Sequence, residues 1–117
     1  MPGATDTDGA AGVAPLTIAE AQAAVDASIR ALGGYWPPLA NLARLFEECG
    51  ELARTVNLAF GPKRLKAGEV PAAARDELGD VLYVLLVLAN SLDLQADAAL
   101  DAALSRAQQR ASQSSGA

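Results

Sequence analysis

The stretch PPLANLARLFEECGELARTVNLAF, residues 37–60, decides the fold. Apolar residues recur in it every three or four positions, so Leu42, Leu45, Phe46, Cys49, Ala53 and Val56 form one side of a helix. Pro38 suits the first turn, where a missing N–H leaves no bond unmade, and Gly61-Pro62 stops the helix after Phe60. Opposite the apolar side stand Glu47, Glu48 and Glu51, spread over an arc of about 100°. Cys49 falls on the apolar side and is expected as a small core residue, the usual place of a free cysteine.

Outward from this helix, ARDELGDVLYVLLVLAN (74–90) carries a second acidic pair, Glu77 and Asp80. Its helix is expected from Pro71 to about Leu92. From Val81 to Ala89 it is apolar on every side, a pattern that demands burial all round. Three further helices in a chain this small do not surround it, so a second subunit is expected to cover it, in a homodimer or a dimer of dimers. A first helix starts at Thr17, with Glu20 completing a capping box, and ends at Gly33-Gly34. A fourth is expected from about Leu94 to Arg110. No strand-like alternation occurs. The reading is an all-α four-helix bundle over 16–110, oligomerising through its third helix, with disordered tails at 1–15 and 111–117.

Composition narrows the chemistry. The chain has 117 residues, enough for one domain, and 51% of them are hydrophobic with only 4% aromatic, so Ala, Leu and Val do the packing. A net charge of −5 argues against nucleic-acid binding through a broad basic surface. The longest apolar run falls far short of the roughly 20 residues that span a bilayer. The N-terminal stretch lacks the basic start and apolar centre of a signal peptide, and one cysteine makes no internal disulfide. A cytoplasmic protein is expected. With no histidine, serine or cysteine triads and Glu-x-x-His di-iron sites are excluded, and no glycine-rich phosphate loop is present.

The loop GPKRLKAGEV is short, so the second and third helices are expected as antiparallel neighbours. Glu51 lies about 13 Å along its helix from Phe60, and Glu77 about 9 Å from Pro71, at 1.5 Å per residue. The two acidic clusters therefore stand at one level. Carboxylates this close repel and raise one another's pKa unless a cation sits among them. A cation held by oxygen alone favours magnesium, with manganese as the other choice. Glu47, Glu48 and Glu51 also read as a solvated face beside Arg44 and Arg54. Glu77 and Asp80 fit that account less well, because they begin an otherwise apolar surface where unpaired charge is expensive. Salt bridges to Arg44 or Arg54 would relieve them, but a metal also explains why so many acids gather.

EECGE followed by ELGD on a helical hairpin, with GGYWPPLANLARL before it, GPKRLK between and DVLYVLLVLAN after, resembles the MazG-like all-α nucleoside triphosphate pyrophosphohydrolases. That superfamily includes dimeric dUTPases, dCTP pyrophosphatases and phosphoribosyl-ATP pyrophosphohydrolases. The resemblance spans about residues 33 to 105. It implies hydrolysis of an NTP or dNTP to the monophosphate and pyrophosphate with Mg²⁺, as house-cleaning of the nucleotide pool. It implies metal binding by Glu48, Glu51, Glu77 and Asp80, while Glu47 positions or deprotonates the attacking water. Lys63, Arg64 and Lys66 are candidates for phosphate contact, or a solvated basic turn. Trp36 is placed to stack on a base or to pack on the first helix. Asn90 either lines the pocket or satisfies itself near the helix end. Relatives often carry a lysine with an asparagine or basic motif late in the fourth helix; here Arg106, Gln109 and Arg110 stand there. The alternatives are a phosphoribosyl-ATP pyrophosphohydrolase, which the GGYWPP approach disfavours, and a non-catalytic oligomerisation module, which the five intact acids disfavour.

Overall fold

A computed structural model of the chain describes residues 15–60 and 69–115, and they form four helices: α1 (Ile18–Ala31), α2 (Pro38–Phe60), α3 (Glu69–Ser91) and α4 (Ala96–Ser115). The all-α four-helix architecture is the one expected. Residues 1–14 and 61–68 lie outside the described residues, and so do the expected N-terminal tail, apart from Pro15, and the basic loop. Thr17 caps α1 through a reciprocal pair: its hydroxyl accepts from the Glu20 N–H at 3.0 Å, and the Glu20 carboxylate accepts from the Thr17 N–H at 2.9 Å.

Two helix ends close in the same way. Gly33 takes φ 114°, and the Gly34 N–H reaches back to the Ile29 carbonyl at 2.9 Å. At the end of α3, Asp93 takes φ 56° and the Leu94 N–H bonds the Ala89 carbonyl at 2.9 Å. Each is a left-handed cap that satisfies carbonyls a helix end otherwise orphans. The second cap makes α4 begin at Ala96, two residues after the expected start. At its other end α4 runs to Ser115, beyond Arg110, because no glycine or proline interrupts 111–115. Helix α3 begins at Glu69 rather than Pro71, which is compatible with proline because first-turn N–H groups have no helical partner.

The core lies where α3 meets its neighbours. Val25 and Ile29 of α1 pack with Val87 of α3, and Val84 is 1% exposed. Polar ties hold α1 in place. The Ser28 and Tyr83 hydroxyls are 2.8 Å apart, the Tyr35 hydroxyl donates to Asp26, and Arg30 pairs with Asp26 at 3.0 Å. The Tyr35 hydrogen bond, with Arg30 second, holds the Asp26 carboxyl below its ordinary value. The Gln22 side chain bridges to the α3–α4 turn, donating to the Leu94 carbonyl at 2.7 Å and accepting from the Ala96 N–H at 2.9 Å. In the first turn of α2, Asn41 is buried and donates from Nδ2 to the Trp36 carbonyl at 3.1 Å. Asn41→Ala removes the donor that this carbonyl uses, and is expected to lower stability by about 1–3 kcal/mol, read from the midpoint of urea unfolding.

One expectation about burial is corrected. Cys49 is exposed, not a core residue. The edge of α2 that packs on α3 runs through Asn41, Leu45, Glu48, Leu52 and Thr55, while Phe46, Cys49, Ala53 and Val56 face outward. The apolar arc of α2 is wider than one neighbouring helix covers, and α3 takes the edge that carries Glu48. Burial of α3 is likewise one-sided within a single chain: Val84 and Val87 are enclosed, yet Leu78, Leu82 and Leu85 are about half exposed.

Candidate metal centre

Antiparallel packing of α2 on α3 sets the site. Glu48 is on the α3-facing edge of α2, and Glu77 and Asp80 are one turn apart near the start of α3. One carboxylate oxygen from each of these three residues lies within 4.8 Å of the other two. Opposite oxygens around magnesium are about 4 Å apart, given metal–oxygen distances near 2.1 Å. The three side chains therefore fit around one hard divalent cation after small rotations. Glu48 and Glu77 are half-buried and Asp80 is exposed, so the cluster has a protein floor and an open mouth.

Electrostatics agree with the geometry. The Glu77 carboxyl is raised above its ordinary value, first by desolvation and then by the charges of Glu51, Asp80, Glu48 and Asp76. Both causes penalise the ionised form. Among the described residues, the Arg30–Asp26 pair is the sole ion pair, so neither Arg44 nor Arg54 neutralises the cluster. Arg44 instead lies over the Trp36 ring, 5.9 Å from its centroid. Among the described residues, Glu48, Glu51, Glu77 and Asp80 gather with no cationic side chain paired to them. Among the described residues, the salt-bridge account of Glu77 and Asp80 has no partner.

The remaining candidates separate clearly. Glu51 is exposed and close enough for its charge to act on Glu77, while Glu47 is exposed and outside the group of three. Lys63, Arg64 and Lys66 lie outside the described residues. Trp36 is exposed at the mouth of a cavity of about 120 Å³ that Asn41, Arg44, Gly34, Ile29 and Val87 also line. Asn90 uses its Nδ2 to bond the Gln22 carbonyl at 3.1 Å, tying α3 to α1 about 15 Å along the helix from Asp80. Arg106 is exposed on α4, which packs on α1. Sequence reading passed over Asn41 as a site neighbour and took Arg44 only as a salt-bridge partner of the acids. Their signal was available: they precede Glu48 by seven and four residues and so share its stripe.

Comparison with known proteins places this geometry in a family. The MazG nucleotide pyrophosphohydrolase domain matches residues 37–114. The uncharacterised protein YpjD of Bacillus subtilis strain 168 is 50% identical over 84 residues, covering 71% of this chain and 76% of that protein. The crystal structure of YpjD from Bacillus subtilis superposes with a TM-score of 0.72 at 45% identity, over 80% of this chain and 97% of the other. That of a Bacillus-conserved MazG protein, a nucleotide pyrophosphohydrolase, gives a TM-score of 0.69 at 38% identity, over 80% and 92%. With its matched segment spanning both acidic helices, the chain belongs to the MazG nucleotide pyrophosphohydrolase family.

Proposed function

We propose that this protein hydrolyses a nucleoside or deoxynucleoside triphosphate to the monophosphate and pyrophosphate, using Mg²⁺ or Mn²⁺, as a cytoplasmic house-cleaning enzyme. The observation that carries this reading is the convergence of Glu48, Glu77 and Asp80 with, among the described residues, no cationic side chain paired to them. Family membership supplies the reaction class, hydrolysis of a phosphoric anhydride. Glu48, Glu77 and Asp80 would hold the ion, with Glu51 as the fourth carboxylate on the exposed side. The bound ion supplies charge neutralisation for the triphosphate and for the leaving pyrophosphate.

Glu47 is the assigned base. Its exposed carboxylate stands on the outer side of the acidic face, where water reaches it, and takes the proton as the water oxygen bonds to phosphorus. The anhydride P–O bond breaks and pyrophosphate departs. Lys63, Arg64 and Lys66 are assigned to the phosphates, Trp36 to the base, and Asn90 and Arg106 to the outer edge of the site. Asn90 has the weakest claim, because its amide is already used within the fold. Among the described residues no single helix is long and apolar enough to cross a membrane.

Incubation with each NTP and dNTP, with Mg²⁺ or with EDTA, tests the reading directly. Metal-dependent release of pyrophosphate from at least one nucleotide is the expected result. Absence of turnover at high enzyme concentration on every nucleotide sinks it. Phosphoribosyl-ATP in the same panel separates the histidine-pathway alternative.

A further inference from the structure

Two arginines of this chain lie over aromatic rings, and their surroundings differ. Arg30 is 5.8 Å from the Tyr35 ring centroid and is also held by Asp26 at 3.0 Å, so its stack belongs to the fold. Arg44 is 5.9 Å from the Trp36 centroid, is half-buried, and among the described residues pairs with no carboxylate. Its place on α2 sharpens the contrast. It precedes Glu48 by four residues, about 6 Å along the helix, on the same stripe. Helical side chains lean towards the N-terminus, so Arg44 leans away from Glu48 and onto the indole. Its charge is left unneutralised one turn from the acidic cluster.

Arg44 also closes a cavity. Trp36, Arg44, Asn41, Ile29 and Val87 border a space of about 120 Å³, room for about four waters at roughly 30 Å³ each. Pockets that hold small molecules start at roughly 300 Å³. Most of the walls are fixed. Ile29 and Val87 are buried in the core, Asn41 is bonded to the Trp36 carbonyl at 3.1 Å, and the neighbouring Tyr35 hydroxyl donates to Asp26. Arg44 is the wall with a long side chain and, among the described residues, only a stacking contact to hold it.

We propose that Arg44 binds the α-phosphate of the substrate, and that its stack on Trp36 is a resting position it leaves when the nucleotide enters. The proposal rests on the nucleotide reading above. With the outer phosphates at the acidic cluster and the base at Trp36, the α-phosphate lies beside Arg44, which stands between them on α2. Departure from the indole uncovers a ring face for the base and enlarges the cavity in one movement. The guanidinium then turns its planar fork to the phosphoryl oxygens. Water attacks this same phosphorus, so a cation on its oxygens stabilises the charge of the transition state.

Trp36 is the sole tryptophan, so the emission of the whole chain reads the stack directly. Inorganic tripolyphosphate with Mg²⁺ is the probe, because it offers three phosphates and no base to perturb the indole. Calorimetry is expected to show binding, with wild-type emission shifting to that of ligand-free Arg44→Ala. The Arg44→Ala chain is expected to bind at least about tenfold more weakly and to show no shift. On whichever nucleotide the wild type turns over, Arg44→Ala is expected to lose about 100-fold in kcat/KM, mostly in kcat, and Arg44→Lys to recover part of it.

Unchanged wild-type emission at saturating tripolyphosphate, no binding by the wild type, or equal affinity in Arg44→Ala overturns the proposal. So does full kcat/KM in Arg44→Ala, which leaves the hydrolase reading intact. An Arg44-dependent shift in a chain that turns over no nucleotide keeps the phosphate site and removes the hydrolase reading instead. Should Arg44→Ala unfold, the wild-type emission decides the matter.

Discussion

Glu48→Gln and Asp80→Asn are each expected to reduce metal-dependent pyrophosphate release by at least about 100-fold, or about 2.7 kcal/mol of transition-state stabilisation. Both substitutions keep size and shape while removing the charge that a divalent cation needs. Neither disturbs a hydrophobic contact of the core, which lies around Val84, Val87, Val25 and Ile29. Helical circular dichroism is therefore expected to be unchanged. The loss is expected in kcat/KM at fixed Mg²⁺, and partial recovery at high metal separates weakened binding from misplacement of the ion. Full turnover in either variant would remove that residue from the ligand set. Glu47→Gln distinguishes a base from a ligand: it is expected to lower turnover while leaving the metal concentration for half-activity in place.

Much of this arrangement was legible before any coordinates. The helix starts at Thr17 and Pro38 and the stop at Gly33 are local capping chemistry, written in two or three residues. The meeting of Glu48 with Glu77 and Asp80 followed from helix rise and a short loop, because two antiparallel helices have one free parameter along their axes. What the sequence did not settle was rotation. Helix α2 has an apolar arc wide enough for two neighbours, and periodicity does not say which edge goes to α3 and which to another partner. The placement of Cys49 failed for that reason. Arg44 was equally ambiguous: it stands within reach of the acids along the helix, yet its guanidinium lies over Trp36. Asn90 was read as a pocket residue or a self-satisfied one, and its bond to Gln22 favours the second through a contact 68 residues away in sequence.

Glu77 yields the prediction in which one substitution changes sign with the solution. Its carboxyl is raised above the ordinary value of 4.5 by desolvation and by Glu51, Asp80 and Glu48. Between 4.5 and that raised value the folded chain binds more protons than the unfolded one, so stability falls as pH rises through this window. Above the window the full repulsion persists. Without divalent metal at neutral pH, Glu77→Gln is therefore expected to unfold at a higher temperature than the wild type, with less gain on acidification. Added Mg²⁺ reverses the order. At a concentration 100 times the dissociation constant, a folded-state ligand contributes about 2.7 kcal/mol, on the order of 10 °C for a domain of this size. The wild type is expected to gain this increment and Glu77→Gln to lose most of it. Thermal unfolding of both proteins in EDTA and in Mg²⁺ reads all four values. A crossing of the two rankings is the signature of acids held close for a cation. Parallel shifts would instead mean that Glu77 is an ordinary surface carboxylate and that the metal, if bound, is held elsewhere.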